Sequence, residues 1–306
     1  MNTSAIKNLL KKVVADKEQR HRIIIGTTSW LPDKAYLRLL YLFICKKWLS
    51  FKHPETFNEK LQCYKLLHRD PLMTKCADKF AVREDVAQQG FEDLLVPLLG
   101  VYERAEDVDF EALPDKCILK TTHNSSGSFK WKKDRENDTA KIRKTFADMM
   151  KINAYWLARE WAYRDITPKI VCETWIDSKT PIVDLKFLCF DGKARYIYYD
   201  VGMNDDMGNH AIGHRAVLDR SLKHLDMKTS MQRLPDDRIC LPEGMDRLLE
   251  IADKLSQPFP HVRVDFFVAD GRAYFSELTF YSGGGYGSFE PKSWDHKIGE
   301  YFHLPT

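Results

Sequence analysis

Two neighbouring segments carry charges where the pattern is otherwise apolar. Val262-Arg263-Val264-Asp265-Phe266-Phe267 and Tyr274-Phe275-Ser276-Glu277-Leu278-Thr279-Phe280 flank an Asp270-Gly271 turn signal. Strand alternation places Arg263 with Asp265 on one face and Glu277 with Thr279 on one face of the next strand. Burying two carboxylates and a guanidinium among aromatic residues is costly unless they pair or hold a metal. The segment is therefore either a buried Arg263 to Glu277 ion pair or an Mg²⁺ site. Register constrains the second reading. With Asp270 and Gly271 alone as the turn, Asp265 lies opposite Ser276 and Glu277 falls on the other face. A three-residue loop over 269–271 puts Arg263 opposite Glu277 with Asp265 on the shared face, and this loop is the expectation.

Three further places have the composition of a site. Ile118-Leu119-Lys120 runs into His123-Asn124-Ser125-Ser126-Gly127-Ser128, a small-residue loop whose backbone could close on a phosphate beside the Lys120 charge. It lacks GxxxxGK[ST] and is followed by strand-like Phe129-Lys130-Trp131-Lys132, so it is not a P-loop, and an ordinary hairpin loop explains it too. Ile170-Val171-Cys172-Glu173-Thr174-Trp175-Ile176-Asp177 is an apolar strand ending in an acid and a large aromatic, which suits a purine slot or simply a half-buried strand. Ser282-Gly283-Gly284-Gly285-Tyr286-Gly287-Ser288 holds four of the chain's 15 glycines directly after the charged hairpin. Such a loop admits close approach of an anion, or serves as a connector.

The elements that must position these residues follow from periodicity. Up to about residue 90 the apolar spacing is helical, with a stripe at Ile6, Leu9, Leu10, Val13 and Val14 and a helix over 77–89 stopped by Gly90. Strand-like runs follow at 94–102, 117–122, 169–176, 185–190, 194–201, 262–269 and 273–280, with helical stretches near 138–160 and 242–256. The fold class is α+β, with antiparallel hairpins at Asp191-Gly192 and Asp270-Gly271.

Composition narrows the function class. The 306 residues are 44% apolar and 30% charged, enough for a sizeable core, and no apolar run approaches the ~20 residues of a membrane span. With no stretch of signal-peptide character, a cytoplasmic location is expected. The seven cysteines form no CxxC pair and read as reduced, mostly buried thiols without a zinc site. The net charge of +3 conceals a local excess, since residues 1–60 hold twelve Lys/Arg against five Asp/Glu. There Lys46 and Lys47 mix with Tyr, Phe and Trp, as in a peripheral contact with the inner face of a membrane or with an anionic polymer; a solvated helical face has the same residues. The rest of the chain has no basic excess, which argues against nucleic acid.

Taken in order, these segments resemble the TupA-like ATP-grasp family of bacterial polysaccharide biosynthesis. The resemblance rests on residues 69–83, Val96-Pro97-Leu98-Leu99-Gly100-Val101-Tyr102, Leu113-Pro114 with Ile118-Leu119-Lys120, Lys186-Phe187-Leu188-Cys189-Phe190-Asp191-Gly192, and Val262-Arg263-Val264-Asp265 with Glu277-Leu278-Thr279-Phe280. It implies two α+β subdomains gripping ATP, at 76–175 and 176–306, behind a helical region at 1–75. It further implies that Lys79 and Lys120 hold nucleotide phosphates with the Ser125, Ser126 and Gly127 loop. By the same resemblance Glu173, Thr174, Trp175 and Ile176 form the adenine hinge, and Asp184 and Lys186 complete the nucleotide site, Asp184 at the ribose. Asp265, Glu277 and Thr279 match the Mg²⁺ ligands, and Arg263 the arginine that steadies the transferred phosphoryl group. Thr279 stands where the wider fold has Asn, a better ligand than a hydroxyl. The activity so implied is that of an ADP-forming carboxylate–amine ligase acting through an acyl-phosphate. Its carboxylate would be a uronic acid of a surface polysaccharide or precursor, and its amine an amino acid or amino alcohol. A glycosyltransferase and a non-catalytic glycan-binding or assembly protein are the alternatives, the first disfavoured because Asn204-Asp205-Asp206 and Asp236-Asp237 lie in polar loops.

Overall fold

Helices occupy the N-terminal part, as the periodicity requires. In the computed structural model, which describes residues 17–124, 128–203 and 213–305, they are α1 (Lys17–Thr28), α2 (Asp33–Cys45), α3 (Phe57–Leu67), α4 (Pro71–Ala77) and α5 (Val82–Gln88). The apolar stripe at 6–14, the Ser125-Ser126-Gly127 segment and the Asn204-Asp205-Asp206 triplet lie outside the described residues. A reciprocal cap starts α3: the Glu59 amide donates to Thr56 Oγ1 at 3.2 Å and the Thr56 amide to Glu59 Oε2 at 3.2 Å.

The helix expected over 77–89 is broken. Asp78 Oδ1 accepts from the amides of Phe80, at 2.8 Å, and Ala81, at 3.3 Å, offering the backbone an alternative to continued helix. The helix resumes at Val82 and stops at Gly90, whose φ of 86° only glycine adopts readily. Within the break, the Lys79 amide donates to Thr122 O at 3.1 Å.

Two antiparallel layers follow. The smaller sheet joins β1 (Leu98–Tyr102), β2 (Lys116–Thr121), β3 (Ser128–Lys132) and β4 (Ile170–Thr174) in the order β1-β4-β2-β3. Its outer face, with Cys117, Leu119, Trp131 and Cys172, packs on Ile142 and Phe146 of α6 (Thr139–Met150). After the short α7 (Ala154–Ala158) comes the larger sheet, built from β5 (Val183–Phe190), β6 (Lys193–Val201), β7 (His214–Asp219), β8 (Gln232–Arg233), β9 (His261–Ala269) and β10 (Arg272–Thr279). Its order is β10-β9-β5-β6-β7-β8, antiparallel except for the short β7–β8 pair.

One face of this sheet is core. Leu185, Phe187, Cys189, Val262, Val264 and Phe266 are buried with Leu248, Leu249, Ala252 and Leu255 of α8 (Met245–Ser256). Each such aliphatic side chain contributes about 1.5–3 kcal/mol on burial, so the α8-facing side tolerates no charge. The α3 helix joins the same core through Phe57, Leu61 and Tyr64, and α9 (Ser293–Glu300) covers it through Ile298. Five cysteines are buried, Cys45 is half-buried, Cys240 is exposed, and all seven are free thiols.

Candidate active site

The other face of the larger sheet is lined with charge. Cross-strand pairing sets it out in rows. Arg215, Asp200 and Asp184 are opposite one another on β7, β6 and β5; Tyr198, Lys186, Asp265 and Glu277 run across β6, β5, β9 and β10; Arg263 lies opposite Thr279.

The last hairpin reaches this arrangement by a route that differs from the expected three-residue loop. Ala269 pairs with Arg272, so the turn is Asp270-Gly271 alone, with φ of 47° and 79° at its two residues. Positive φ at both positions is the twist-matched two-residue turn that Asp-Gly favours. A β-bulge between Phe275 and Glu277 takes up Ser276 as an extra residue and moves the register by one. Glu277 is thereby opposite Asp265, and Thr279 opposite Arg263.

Ion pairs tie the row together. Arg263 grips Asp265 with two parallel bonds, Nε to Oδ1 at 2.7 Å and Nη2 to Oδ2 at 2.6 Å. The same Nη2 donates to Thr279 Oγ1 at 3.1 Å and lies 3.7 Å from Glu277 Oε1, while Thr279 Oγ1 donates to Glu277 Oε1 at 3.2 Å. Lys79 Nζ, reaching from the helix break, meets Glu277 Oε2 at 2.9 Å and donates to Asn124 O at 2.9 Å. Burial alone would raise the Glu277 carboxyl, but the Lys79 and Arg263 cations more than offset it and hold it at about 2. Burial alone would lower Arg263, and Asp265 beside it reverses the sign, so the guanidinium is held charged.

Along the face, Lys186 Nζ lies 3.1 Å from Asp200 Oδ2 and 3.8 Å from Asp184 Oδ1. Arg215 clamps Asp200 at 2.6 and 2.7 Å and stacks 4.1 Å from the Tyr198 ring. Asp200 is fully buried; burial alone would raise it, and Arg215 and Lys186 pull it below the usual carboxylate range. Burial pushes Asp184 up.

The face of the smaller sheet turned away from Cys117, Leu119 and Cys172 carries charges of its own. Lys120 Nζ bonds Glu173 Oε2 at 2.6 Å, and Arg83 from α5 lies 3.5 Å from Glu173 Oε1 while donating to Val96 O at 2.7 Å. The Glu173 side chain is thus occupied by two cations, and the Thr174 amide donates to Pro97 O at 3.0 Å. Trp175 and Ile176 follow the end of β4, and the Trp175 ring lies 5.3 Å from Lys130 Nζ and 4.9 Å from Lys132 Nζ.

The glycine loop is pinned from behind. Gln62 Nε2 donates to the carbonyls of Gly284 and Gly285 at 3.1 and 2.8 Å, and Lys65 Nζ to Gly284 O at 2.8 Å. At Gly285, φ is +72° and a Cβ would lie 3.0 Å from Leu61 Cβ and closer still to Gln62 Nε2. Its glycine is required by packing against α3.

Of the residues singled out in the sequence, Lys79, Arg263, Asp265, Glu277 and Thr279 form one bonded cluster, with Lys186 beside Asp265 in register. Lys120 and Glu173 form a second cluster on the smaller sheet, while Ser125, Ser126 and Gly127 lie outside the described residues. Arg83, Lys130, Lys132, Asp200 and Arg215 were missed. For Lys130 and Lys132 the signal was present, because both alternate with the buried Trp131. Arg83, Asp200 and Arg215 had none, since their partners lie on other elements.

Among the described residues, no three His, Cys, Asp or Glu side chains form a metal cage. Asp265 and Glu277, opposite each other across β9 and β10, are the pair that could hold Mg²⁺ together with phosphate oxygens, each exchanging a cation partner for the metal.

The fold is similar to several solved structures. A D-alanine–D-alanine ligase from Bacillus anthracis is 19% identical, with a TM-score of 0.38 over 67% of this chain and 57% of that one. An L-amino acid ligase from Bacillus licheniformis is 16% identical, with a TM-score of 0.45 over 84% and 57%. The ATP-grasp ligase PsnB, complexed with a phosphomimetic variant of its minimal precursor, Mg and ADP, is 12% identical, with a TM-score of 0.42 over 76% and 58%. The match thus spans under three-fifths of each of those chains. No curated protein sequence matches. Residues 59–303 match the model of the TupA-like ATP-grasp family, and on that extent the chain belongs to it.

Proposed function

We propose that the chain is an ADP-forming carboxylate–amine ligase that uses ATP and Mg²⁺. The observation carrying this reading is the cluster at the meeting of the two sheets, where Lys79 and Arg263 both face Glu277 and Arg263 also grips Asp265. Two cations and two carboxylates held together in a mostly buried setting suit the transfer of a phosphoryl group, whose charge must be balanced on several sides.

In this reading Lys79 and Lys120 bind phosphate oxygens, each exchanging a carboxylate partner for the nucleotide. Trp175 and Ile176, past the end of β4, give the hinge for adenine with Glu173 and Thr174, and Lys130 and Lys132 fix the Trp175 ring. Asp184 and Lys186 line the ribose and phosphate path. Asp265 and Glu277 would hold Mg²⁺, which supplies charge neutralisation at the phosphates; Thr279 orients Glu277 through its hydroxyl. Arg263 stays charged and faces the transferred group.

The chemistry balances without a protein nucleophile. A substrate carboxylate oxygen takes the γ-phosphoryl group and ADP leaves. An amine then attacks the carbonyl carbon, the C–O bond to phosphate breaks, and the amine proton is lost. Arg263 and Lys79 hold the charge that develops. The family's setting in polysaccharide biosynthesis supports a uronic acid as the carboxylate and an amino acid or amino alcohol as the amine, with the working halves at 76–175 and 176–306 behind the helical 1–75 region.

The test is a product assay with candidate uronic acids and amines. Amide product, with ADP released in equal amount only when both are present, supports the reading. Sugar transfer from a nucleotide sugar without ATP refutes it.

A further inference from the structure

Seven of the eleven large apolar side chains exposed among the described residues come from one short stretch: Ile23, Trp30, Leu39, Leu42, Phe43, Ile44 and Trp48. Scattered exposed apolar residues are ordinary, but Leu39, Leu42 and Phe43 line one shallow depression with Lys46, and such a group is an interaction surface. The α2 helix explains the grouping. Leu37 and Tyr41 face the interior, while Leu39, Leu42, Phe43 and Lys46 recur at i, i+3, i+4 and i+7 on the opposite side. A surface helix needs one apolar stripe, and this one has two. The second is bare: Phe43 is 73% exposed and Trp48 60%.

Cations border the stripe. Lys46 Nζ lies 4.8 Å from the Phe43 ring, the Arg38 guanidinium 5.5 Å from Trp48 and 5.3 Å from Phe51, and Lys34 Nζ 5.6 Å from Phe51. Lys52 is exposed nearby. Of the adjoining acids, Asp33 is bonded to Arg69 at 2.8 Å and Glu59 to Lys47 at 2.7 Å, while exposed Glu55 acts on Lys47 and leaves Lys34, Arg38, Lys46 and Lys52 as the cations of the rim. The surface is therefore apolar and aromatic at its centre, positive at its edge.

We propose that this face docks on an anionic lipid bilayer. Aromatic rings and leucines would enter the interface to acyl depth while the lysines stay among the headgroups, the arrangement of a helix lying in the membrane plane. A second copy of the chain is disfavoured by symmetry, because a two-fold contact through this stripe would set Lys46 and Lys52 against lysines of the same patch. No described helix is long and apolar enough to cross a membrane, and the proposed contact is that of a helix lying in the interface. The proposal does not depend on the ligase reading.

The test uses the full chain with vesicles of phosphatidylcholine alone and of equimolar phosphatidylcholine and phosphatidylglycerol. Flotation with the anionic vesicles, weakening as salt is raised, is expected, with little on the neutral ones. Phe43→Asp should abolish it, and since that side chain is mostly in water the fold should persist by circular dichroism. Lys46→Gln should weaken binding about fivefold, the worth of one cation near a charged surface. Equal binding to both vesicles, retention by Phe43→Asp, no flotation of the parent chain, or self-association in sedimentation velocity that Phe43→Asp removes would each overturn the proposal.

Discussion

Glu277 sits where two cations hold its carboxyl far below the ordinary range, and that shift is a statement about stability. The folded carboxyl titrates at about 2 against an ordinary 4.5. At about 1.4 kcal/mol per pH unit, the full shift corresponds to roughly 3 kcal/mol of folded-state preference for the charged form. The side chain is 25% exposed, so solvent screening trims this to about 2 kcal/mol. The folded pKa is depressed, hence the contribution is complete above about pH 4.5 and is lost as pH falls toward 2. Glu277→Gln removes the titration. At pH 7 the variant should be about 2 kcal/mol less stable in urea unfolding, and by pH 3.5 the gap should have narrowed by about 1 kcal/mol. His261, which burial pushes down to about 3, is untouched by Glu277 and cancels between the two proteins, whereas Asp265 and Asp184, which the Glu277 charge helps to raise, are raised less in the variant and oppose part of the narrowing. A gap that stays constant with pH, or a variant as stable as the parent at pH 7, would show that Lys79 and Arg263 do not stabilise the charge as the geometry requires.

The remaining predictions concern the nucleotide, the reaction and the backbone. Lys120→Ala and Lys79→Ala should each weaken ADP binding about tenfold or more by calorimetry, the worth of a charge-assisted bond; unchanged affinity in both would remove the nucleotide site. Arg263→Ala should cut kcat more than it raises KM for ATP, because its partner charge develops during transfer, and an effect confined to KM would assign it to ground-state binding. Gly285→Ala should cost about 2 kcal/mol or more in urea unfolding, from a left-handed backbone and a methyl pressed on Leu61 and Gln62; a loss under about 0.5 kcal/mol would mean α3 does not press on this loop. Deleting Ser276 should leave Glu277 opposite Asp265 and nucleotide binding intact, since only the bulged residue is lost, and a variant that no longer binds ADP would mean that the bulge itself shapes the site.

Where a pattern is local, the sequence displayed it. The strand runs at 117–122, 185–190, 194–201 and 262–269 correspond to β2, β5, β6 and β9 within a residue or two. β7 carries no clear strand signal, because His-Arg-Ala-Val-Leu-Asp has only three apolar residues in a row. The early strand begins at Leu98 rather than 94, after a turn over Glu92–Leu94 and the donor-less Pro97. The charged hairpin was legible as a hairpin and as a site, but not in its register. Arg215 and Asp200 were not legible as a pair, because their bond crosses from β7 to β6 and neither motif nor spacing marks it.

Two of the places where local pattern failed, the helix break and the hairpin register, are the ones that build the cluster. A continuous helix over 77–89 would carry Lys79 away from the end of β2; the Asp78 break lets its amide bond Thr122 and its side chain reach Glu277. The bulge follows from parity. Asp270-Gly271 demands a two-residue turn, which pairs Ala269 with Arg272 and, carried on without interruption, would set Glu277 opposite Val264. Val264 is fully buried on the face packed against α8, and a carboxylate there would lose its water with no partner in reach. One extra residue between the turn and Glu277 is the smallest change that satisfies both the turn and the charge, and Ser276 is that residue. The irregularity therefore follows from the turn chemistry and the burial cost together, neither of which dictates it alone.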